Sequence, residues 1–244
     1  MADPRGQVTM RLDPLETPTA VWRPVPDDDL VDVVLTGAAA RSETDPAGAR
    51  PAEAATTSRL VLVDGRGGSG KSTFAARLAA RSGATVVRTD DLSWQHHPND
   101  WDDLLVHEVI QPWRAGRPVR FRPPAWDARG REGAVTVPVP CPLLVVEGVG
   151  AARRGLAELA DVVIWVQSDL DVARTRGIAR DVELGRTPAE AEAYWEMWAA
   201  HEDPFLAADR PWSRADVVVC GTPPPDLPPG TTLLGTGPCG CRAR

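Results

Sequence analysis

No stretch limits the fold of this chain more than Gly65-Arg66-Gly67-Gly68-Ser69-Gly70-Lys71-Ser72, which fits the pattern G-x-x-x-x-G-K-[ST]. Its glycines open backbone conformations closed to other residues and let an anion approach the N–H groups. The run RLVLVDG (59–65) before it is short and apolar, as a buried parallel strand is. The run KSTFAARLAARSG (71–83) after it predicts a helix with Phe74, Leu78 and Ala79 on one face and Gly83 as its stop. Strand, glycine loop and helix in this order commit the chain to an α/β sheet. The positive end of the helix then points at whatever anion the loop holds. Lys71 is the only lysine among 27 Lys and Arg residues. The arginines fit a coding bias, whereas Lys71 stands where the chemistry asks for a compact ammonium.

The rest of the sequence supplies partners for that unit. TVVRT (85–89), PLLVVEG (142–148), DVVIWV (161–166) and ADVVVCG (215–221) read as four further strands. NDWDDLLVHEVIQPWRAG (99–116), capped by Asn99 or Asp100, and residues 169–184 and 187–202 read as helices. PVRFRP (118–123) and GAVTVP (133–138) form a β-ribbon around PAWDARGRE. Alternating strands and helices predict a parallel sheet covered on both faces. The expected architecture is a five-stranded parallel sheet within three layers, with the ribbon as a small insertion. Seven prolines between positions 4 and 51 break longer patterns, so residues 1–58 read as an irregular extension. Within it DDDLVDVVLTGAAA (27–40) suits one short helix behind Asp27 or Asp28, and 41–58 suits a linker. The domain itself is expected over 59–221, and the Pro-rich stretch 222–244 is expected as a surface tail.

Composition removes several classes. A net charge of −7 argues against a dedicated nucleic-acid binder. No apolar run approaches the ~18–20 residues that span a bilayer, and MADPRGQVTMRLDP lacks the apolar core of a secretory signal. Four cysteines in 244 residues make no disulfide framework, so a cytoplasmic location without membrane partners is expected.

In an open α/β sheet, ligands sit outside the carboxyl ends of the strands. Asp90 and Asp91 follow the second expected strand and Glu147 the third. If those strands flank the loop strand, all three acids converge on a Mg²⁺ ion and the last phosphate. A lone carboxylate at the end of a buried strand is costly without a cation. Asp90 and Asp91 also suit helix capping, and Glu147 a solvated end. The weaker signals read more plainly. His96-His97-Pro98 suits a solvated loop, and Trp195 and Trp198 with Tyr194 suit helix packing. Asp181 either orients Arg180 or is exposed. Arg114, Arg117, Arg120 and Arg122 suit a solvated ribbon as well as an anionic substrate. Cys239 and Cys241 have no second ligand pair nearby.

Taken together, VDGRGGSGKSTFAARLA, VVRTDDLSW, LLVVEG and DVARTRGIARDVELGR resemble the uridine kinase branch of the P-loop kinases, which includes phosphoribulokinase and bacterial pantothenate kinase. The resemblance covers roughly 59–221 and implies the P-loop kinase type of fold, with the five strands in the order 2-3-1-4-5. It implies ATP-Mg²⁺-dependent transfer of a phosphoryl group to a small-molecule hydroxyl, with a nucleoside as acceptor. Gly65, Gly67, Gly68, Ser69, Gly70, Lys71, Ser72 and Thr73 would hold the nucleotide, and Ser72, Asp90 and Glu147 the Mg²⁺. Asp90 would take the acceptor proton. Arg174, Arg176 and Arg180 would lie in a lid, with Arg174 and Arg176 on ATP and Arg180 at the transferred group. Asp91, Trp94, Trp126 and Asp127 would meet the acceptor, Trp126 by stacking on a base and Asp127 on a ribose hydroxyl. The chain departs from the family where its Tyr positions are Trp and where ARGRE replaces a His-containing stretch. Other acceptors stay open: a pantothenate-like molecule, a sugar phosphate or a nucleoside monophosphate. So do a regulatory ATPase without acceptor and a homo-oligomer.

Overall fold

The computed structural model of the protein describes residues 8–42, 58–94 and 101–239, without the side chains of 37–42. Residues 43–57 of the expected linker, the pair His96–His97 with Pro98, the caps Asn99 and Asp100, and Cys241 lie outside the described residues. Five strands run parallel: β2 (Arg59–Gly65), β3 (Thr85–Arg88), β6 (Leu143–Glu147), β7 (Val162–Gln167) and β8 (Val217–Cys220). Their order across the sheet is β3-β6-β2-β7-β8. Ranked along the chain this is 2-3-1-4-5, the expected arrangement. Leu60 faces Leu144 and Val61 faces Val162, so β2 is flanked on both sides.

The strands are apolar throughout because both faces are covered. Val61 and Val63 pack with Phe74 and Leu78 of α2 (Lys71–Ser82) and with Leu30 and Val34 of α1 (Leu30–Ser42). Leu60 and Leu62 point the other way, into a cluster with Trp101, Leu105, Val109 and Trp113. Leu105, Val109 and Trp113 belong to one continuous helical run that starts after Trp101: α4 (Asp102–Leu105), a π-helical segment (Val106–Ile110) and α5 (Gln111–Arg114). Pro112 has no N–H to continue the ladder, and the widened turn comes directly before it. Strands β4 (Val119–Phe121) and β5 (Val135–Val137) pair antiparallel as the separate ribbon.

The sheet is larger than five strands. Two antiparallel strands extend it beyond β8, first β9 (Thr231–Thr236) and then β1 (Arg23–Pro26). The expectation of a surface tail therefore fails for Thr231–Thr236, where Leu233 and Leu234 are buried. The irregular reading of the first 58 residues fails likewise for Arg23–Pro26, whereas the short helix expected within 27–40 is present as α1. Pro24 and Pro26 hid the strand, yet proline is tolerated on a sheet edge, where one side of the strand needs no donors. Leu30 and Val34 are fully buried, so this segment is part of the core. Upstream, Glu16 is buried, and its Oε1 accepts hydrogen bonds from Trp165 Nε1 at 2.6 Å and Gln167 Nε2 at 3.0 Å.

Two further differences bear on the site. PAWDARGRE contains a short helix, α6 (Pro124–Ala128), and residues after β3 form α3 (Thr89–Ser93) rather than a loop. The last two helices are α8 (Leu170–Glu183) and α9 (Pro188–Asp209), the second running past the expected end at 202. It carries Pro204 inside it. The helix continues because Leu206 is buried with Trp165 and Trp212, and Phe205 packs on the same cluster. Burying a Leu-sized side chain stabilises by roughly 1.5–3 kcal/mol, comparable to the ~3 kcal/mol that an interior proline costs.

Candidate active site

The glycine loop joins the end of β2 to α2, at the carboxyl edge of the sheet. Gly68 has φ +70° and Gly70 φ +96°, both in the left-handed region. At Gly68 a side chain would also run into the Ala173 carbonyl of α8, so the loop is pinned from above. Ser69 is buried under it, and Lys71 reaches back so that its Nζ donates to the Arg66 carbonyl at 3.2 Å. Ser72 and Thr73 open the first turn of α2 and are exposed.

Strand order decides which acids meet this loop. Glu147 ends β6, the neighbour of β2, and is buried. Its Oε2 accepts a hydrogen bond from Ser72 Oγ at 3.1 Å, and Oε1 lies 3.5 Å from Arg88 Nε. Burial raises its carboxyl pKa, Lys71 and Ser72 pull it down, and the charge of Asp90 pushes it up. Asp90, in the first turn of α3, thus stands within electrostatic reach of Glu147. Asp91 turns away, its Oδ1 paired with Arg131 at 2.5 Å. The structure brings Lys71, Ser72, Glu147 and Asp90 together and leaves Asp91 outside.

Asp90 also lines a cleft with three walls. Thr89, Asp90 and Ser93 line one wall, Trp101, Val149 and Arg153 the next, and Trp198, His201, Glu202 and Phe205 of α9 the third. Arg153 is buried, pairs with Asp102 at 2.9 Å, and lies over the rings of Trp101 and Phe205 at 4.3 and 5.4 Å. Asp64, fully buried at the root of the loop, accepts hydrogen bonds from the N–H groups of Gly65, Gly150 and Ala152 at 2.7, 3.0 and 2.8 Å. Burial lifts its carboxyl to about 6 despite those donors. This residue ties the loop after β6, and so one wall of the cleft, to the glycine loop.

The expected acceptor residues lie elsewhere. Trp126 is buried in the core, its Nε1 donates to the Asp91 carbonyl at 2.8 Å, and the Arg131 guanidinium covers its ring at 3.7 Å. Trp94 sits on the other side of Arg131, 5.2 Å away. Asp127 is exposed and paired with Arg122 at 2.7 Å. None of these three lines the cleft. Trp94 and Trp126 gather with Asp91 around Arg131, and Asp127 is held by Arg122. Of the lid arginines, Arg174 pairs with Glu196 at 3.1 Å and Arg180 with Asp181 at 3.1 Å, the latter acid being buried. Arg176 donates to the Gly221 carbonyl at 2.6 Å, at the rim of the loop near Gly70.

Sequence reasoning missed the α9 wall. Trp195, Trp198, Glu202 and Phe205 fall at i, i+3, i+7 and i+10, one face of a helix. A carboxylate in the middle of an aromatic stripe was the available signal. It also missed Arg66, whose guanidinium bridges Asp203 at 2.6 Å and Asp13 at 2.8 Å.

A magnesium ion takes few protein oxygens and completes its shell with phosphate and water. The Ser72 hydroxyl and the Glu147 carboxylate, already in contact and beside Lys71, fit that requirement. Among the described residues no group of three His, Cys, Asp or Glu could hold a metal by itself. No helix among them is long and apolar enough to cross a membrane.

Residues 60–138 match the family model described as AAA domain. No curated protein matches the chain. Among solved structures, the YGR205w protein is similar at 14% identity and a TM-score of 0.50, covering 80% of this chain and 93% of its own. A "Possible Uridine Kinase" from Bacillus stearothermophilus is similar at 20% identity and a TM-score of 0.42, over 78% of this chain and 97% of its own. The motif, the strand order and the matched residues agree on one identification: this is a P-loop protein with a mostly parallel α/β sheet.

Proposed function

We propose that the protein is a kinase that transfers a phosphoryl group from ATP to a hydroxyl of a small molecule held in the cleft. One observation carries this reading: Lys71, the Ser72–Glu147 pair and Asp90 come together, and Asp90 also lines the cleft beside them. The loop N–H groups and Lys71 would bind the phosphates and offset charge on the group in transit. Ser72 and Glu147 would hold Mg²⁺, which when bound draws charge from the phosphate oxygens. Asp90 would align the acceptor hydroxyl and take its proton. Arg176, at the loop rim, is the lid arginine best placed to reach phosphate, ahead of Arg174 and Arg180.

A nucleoside is the acceptor this reading favours, because Trp198 and Phe205 of α9 bring aromatic rings to the cleft. The test is ADP release with nucleosides, pantothenate, sugar phosphates and nucleoside monophosphates, beside an acceptor-free control. Release that depends on a nucleoside is expected. Equal release without any acceptor identifies a regulatory ATPase, and dependence on an anionic acceptor moves the assignment to Arg153 and His201.

A further inference from the structure

The glycine loop already faces an anion. Gly67 N donates to Glu202 Oε1 at 2.7 Å, and Glu202 is a buried residue of α9. Burial raises its carboxyl pKa, and Lys71, the Gly67 N–H and Arg66 act against that by favouring the charged form. A methyl group placed on Gly67 would meet Trp198 Nε1 at 3.5 Å, Glu202 Oε1 at 3.6 Å and Trp195 at 3.6 Å. One residue on, Asp203 pairs with Arg66 of the same loop. Two consecutive acids of one helix thus grip two consecutive residues of the phosphate loop. Trp195 continues the contact by packing against Gly177 of α8, where any side chain would collide with it.

A receptor built from backbone N–H groups and a lysine selects for negative charge, and a carboxylate satisfies it as a phosphate does. When a nucleotide phosphate enters, two anions compete for one water-poor seat, and like charges held so close cannot both stay. We propose that Glu202 is an internal occupant of the phosphate seat, which the nucleotide must displace. Because Trp198, His201 and Phe205 share its helix and line the cleft, its withdrawal reshapes the acceptor wall. Nucleotide arrival and cleft geometry are therefore coupled through α9. The inference rests on the nucleotide reading of the loop and adds a gate to it.

The measurement is MgATP affinity by calorimetry on the full chain, for wild type, Glu202→Gln and Asp203→Asn. Glu202→Gln keeps an acceptor for the Gly67 N–H but removes the charge. It should bind MgATP at least tenfold more tightly than wild type. Asp203→Asn loosens only the tether on Arg66 and should tighten binding a few-fold, which keeps the idea testable if Glu202→Gln folds poorly. Unchanged or weaker affinity in both variants, with wild type still binding, overturns the gate and leaves the nucleotide reading standing. No binding by any of the three proteins removes the nucleotide reading, and the gate with it.

Discussion

Apart from Arg176 of α8, the groups proposed to hold phosphate and Mg²⁺ lie within the eight residues Gly65–Ser72 or at the end of a strand beside them. The walls proposed for the acceptor come instead from Asp90 and Trp101, from Val149 and Arg153, and from Trp198 to Phe205. The first region is local: its backbone is set by glycine conformations and a helix start, and it works wherever that unit folds. The second exists only after three distant stretches have packed. Phosphate chemistry is the same for every substrate of this type, so one short unit can serve it. Acceptor shape has to vary, and long-range assembly lets it vary without disturbing the loop.

The sharpest way to break this comparison is at Asp90, where the two regions meet. Asp90→Asn should cut acceptor phosphorylation by about 10²–10⁴-fold while MgATP still binds, in steady-state rates set beside calorimetry. Asp91→Asn, which loses only the pairing with Arg131, should keep its rate. Reversed ranks would mean that Asp91 is the acid at the transfer point.

Trp126 and Trp198 separate scaffold from cleft. Trp126→Ala should lower unfolding free energy by about 3–5 kcal/mol in urea titration, with acceptor KM unchanged. Trp198→Ala should raise acceptor KM roughly tenfold, since about 1.4 kcal/mol of lost contact corresponds to that factor. A KM effect at Trp126 alone would return the acceptor to the ribbon.

On the phosphate side, Lys71→Ala should lower kcat by about 10²–10³-fold, as loss of one preorganised charge contact does. An unchanged kcat would show that the loop does not position the transferring group.

The smallest effect is a pH dependence at the joint between the regions. Asp64 sits at about 6 against an ordinary value of 3.8, a difference of about 3 kcal/mol between its protonation states. Its folded value is the raised one, so its contribution to stability is complete below about pH 3.8 and is lost as pH rises through 6. The stability of wild type relative to Asp64→Asn should therefore fall between pH 4 and pH 6.5 in denaturant titrations. Parallel curves for the two proteins would contradict the burial argument.

The same contrast explains what could be read from the sequence. The loop, its strand and its helix were legible because each is encoded by neighbours along the chain. The parallel sheet followed from alternating elements, whereas the order of its five strands came through the family resemblance. Asp90 and Glu147 were legible as strand-end acids. β1 was not, because Pro24 and Pro26 oppose every strand pattern except that of an edge. Nor was the role of Trp126. An aromatic in PAWD suits a ligand wall as well as a core, and only the approach of Arg131 from five positions on decides between them. Glu202 required knowing that α9 crosses the loop, a tertiary fact with a helical stripe as its only trace.

Glu16 finds Trp165 and Gln167 only 149 and 151 positions later in the chain, and among the described residues β1 has no sheet neighbour but β9. During synthesis the amino-terminal strap thus emerges early and waits for nearly the whole domain before it can dock. Such long-range closure is slow, and the waiting sheet edge is open to other chains meanwhile. Asp13, on the same strap, completes the clamp on Arg66. The phosphate loop is therefore laid down early but tightened last, so a nascent or partly folded chain would present its nucleotide seat before the fold that governs it has closed.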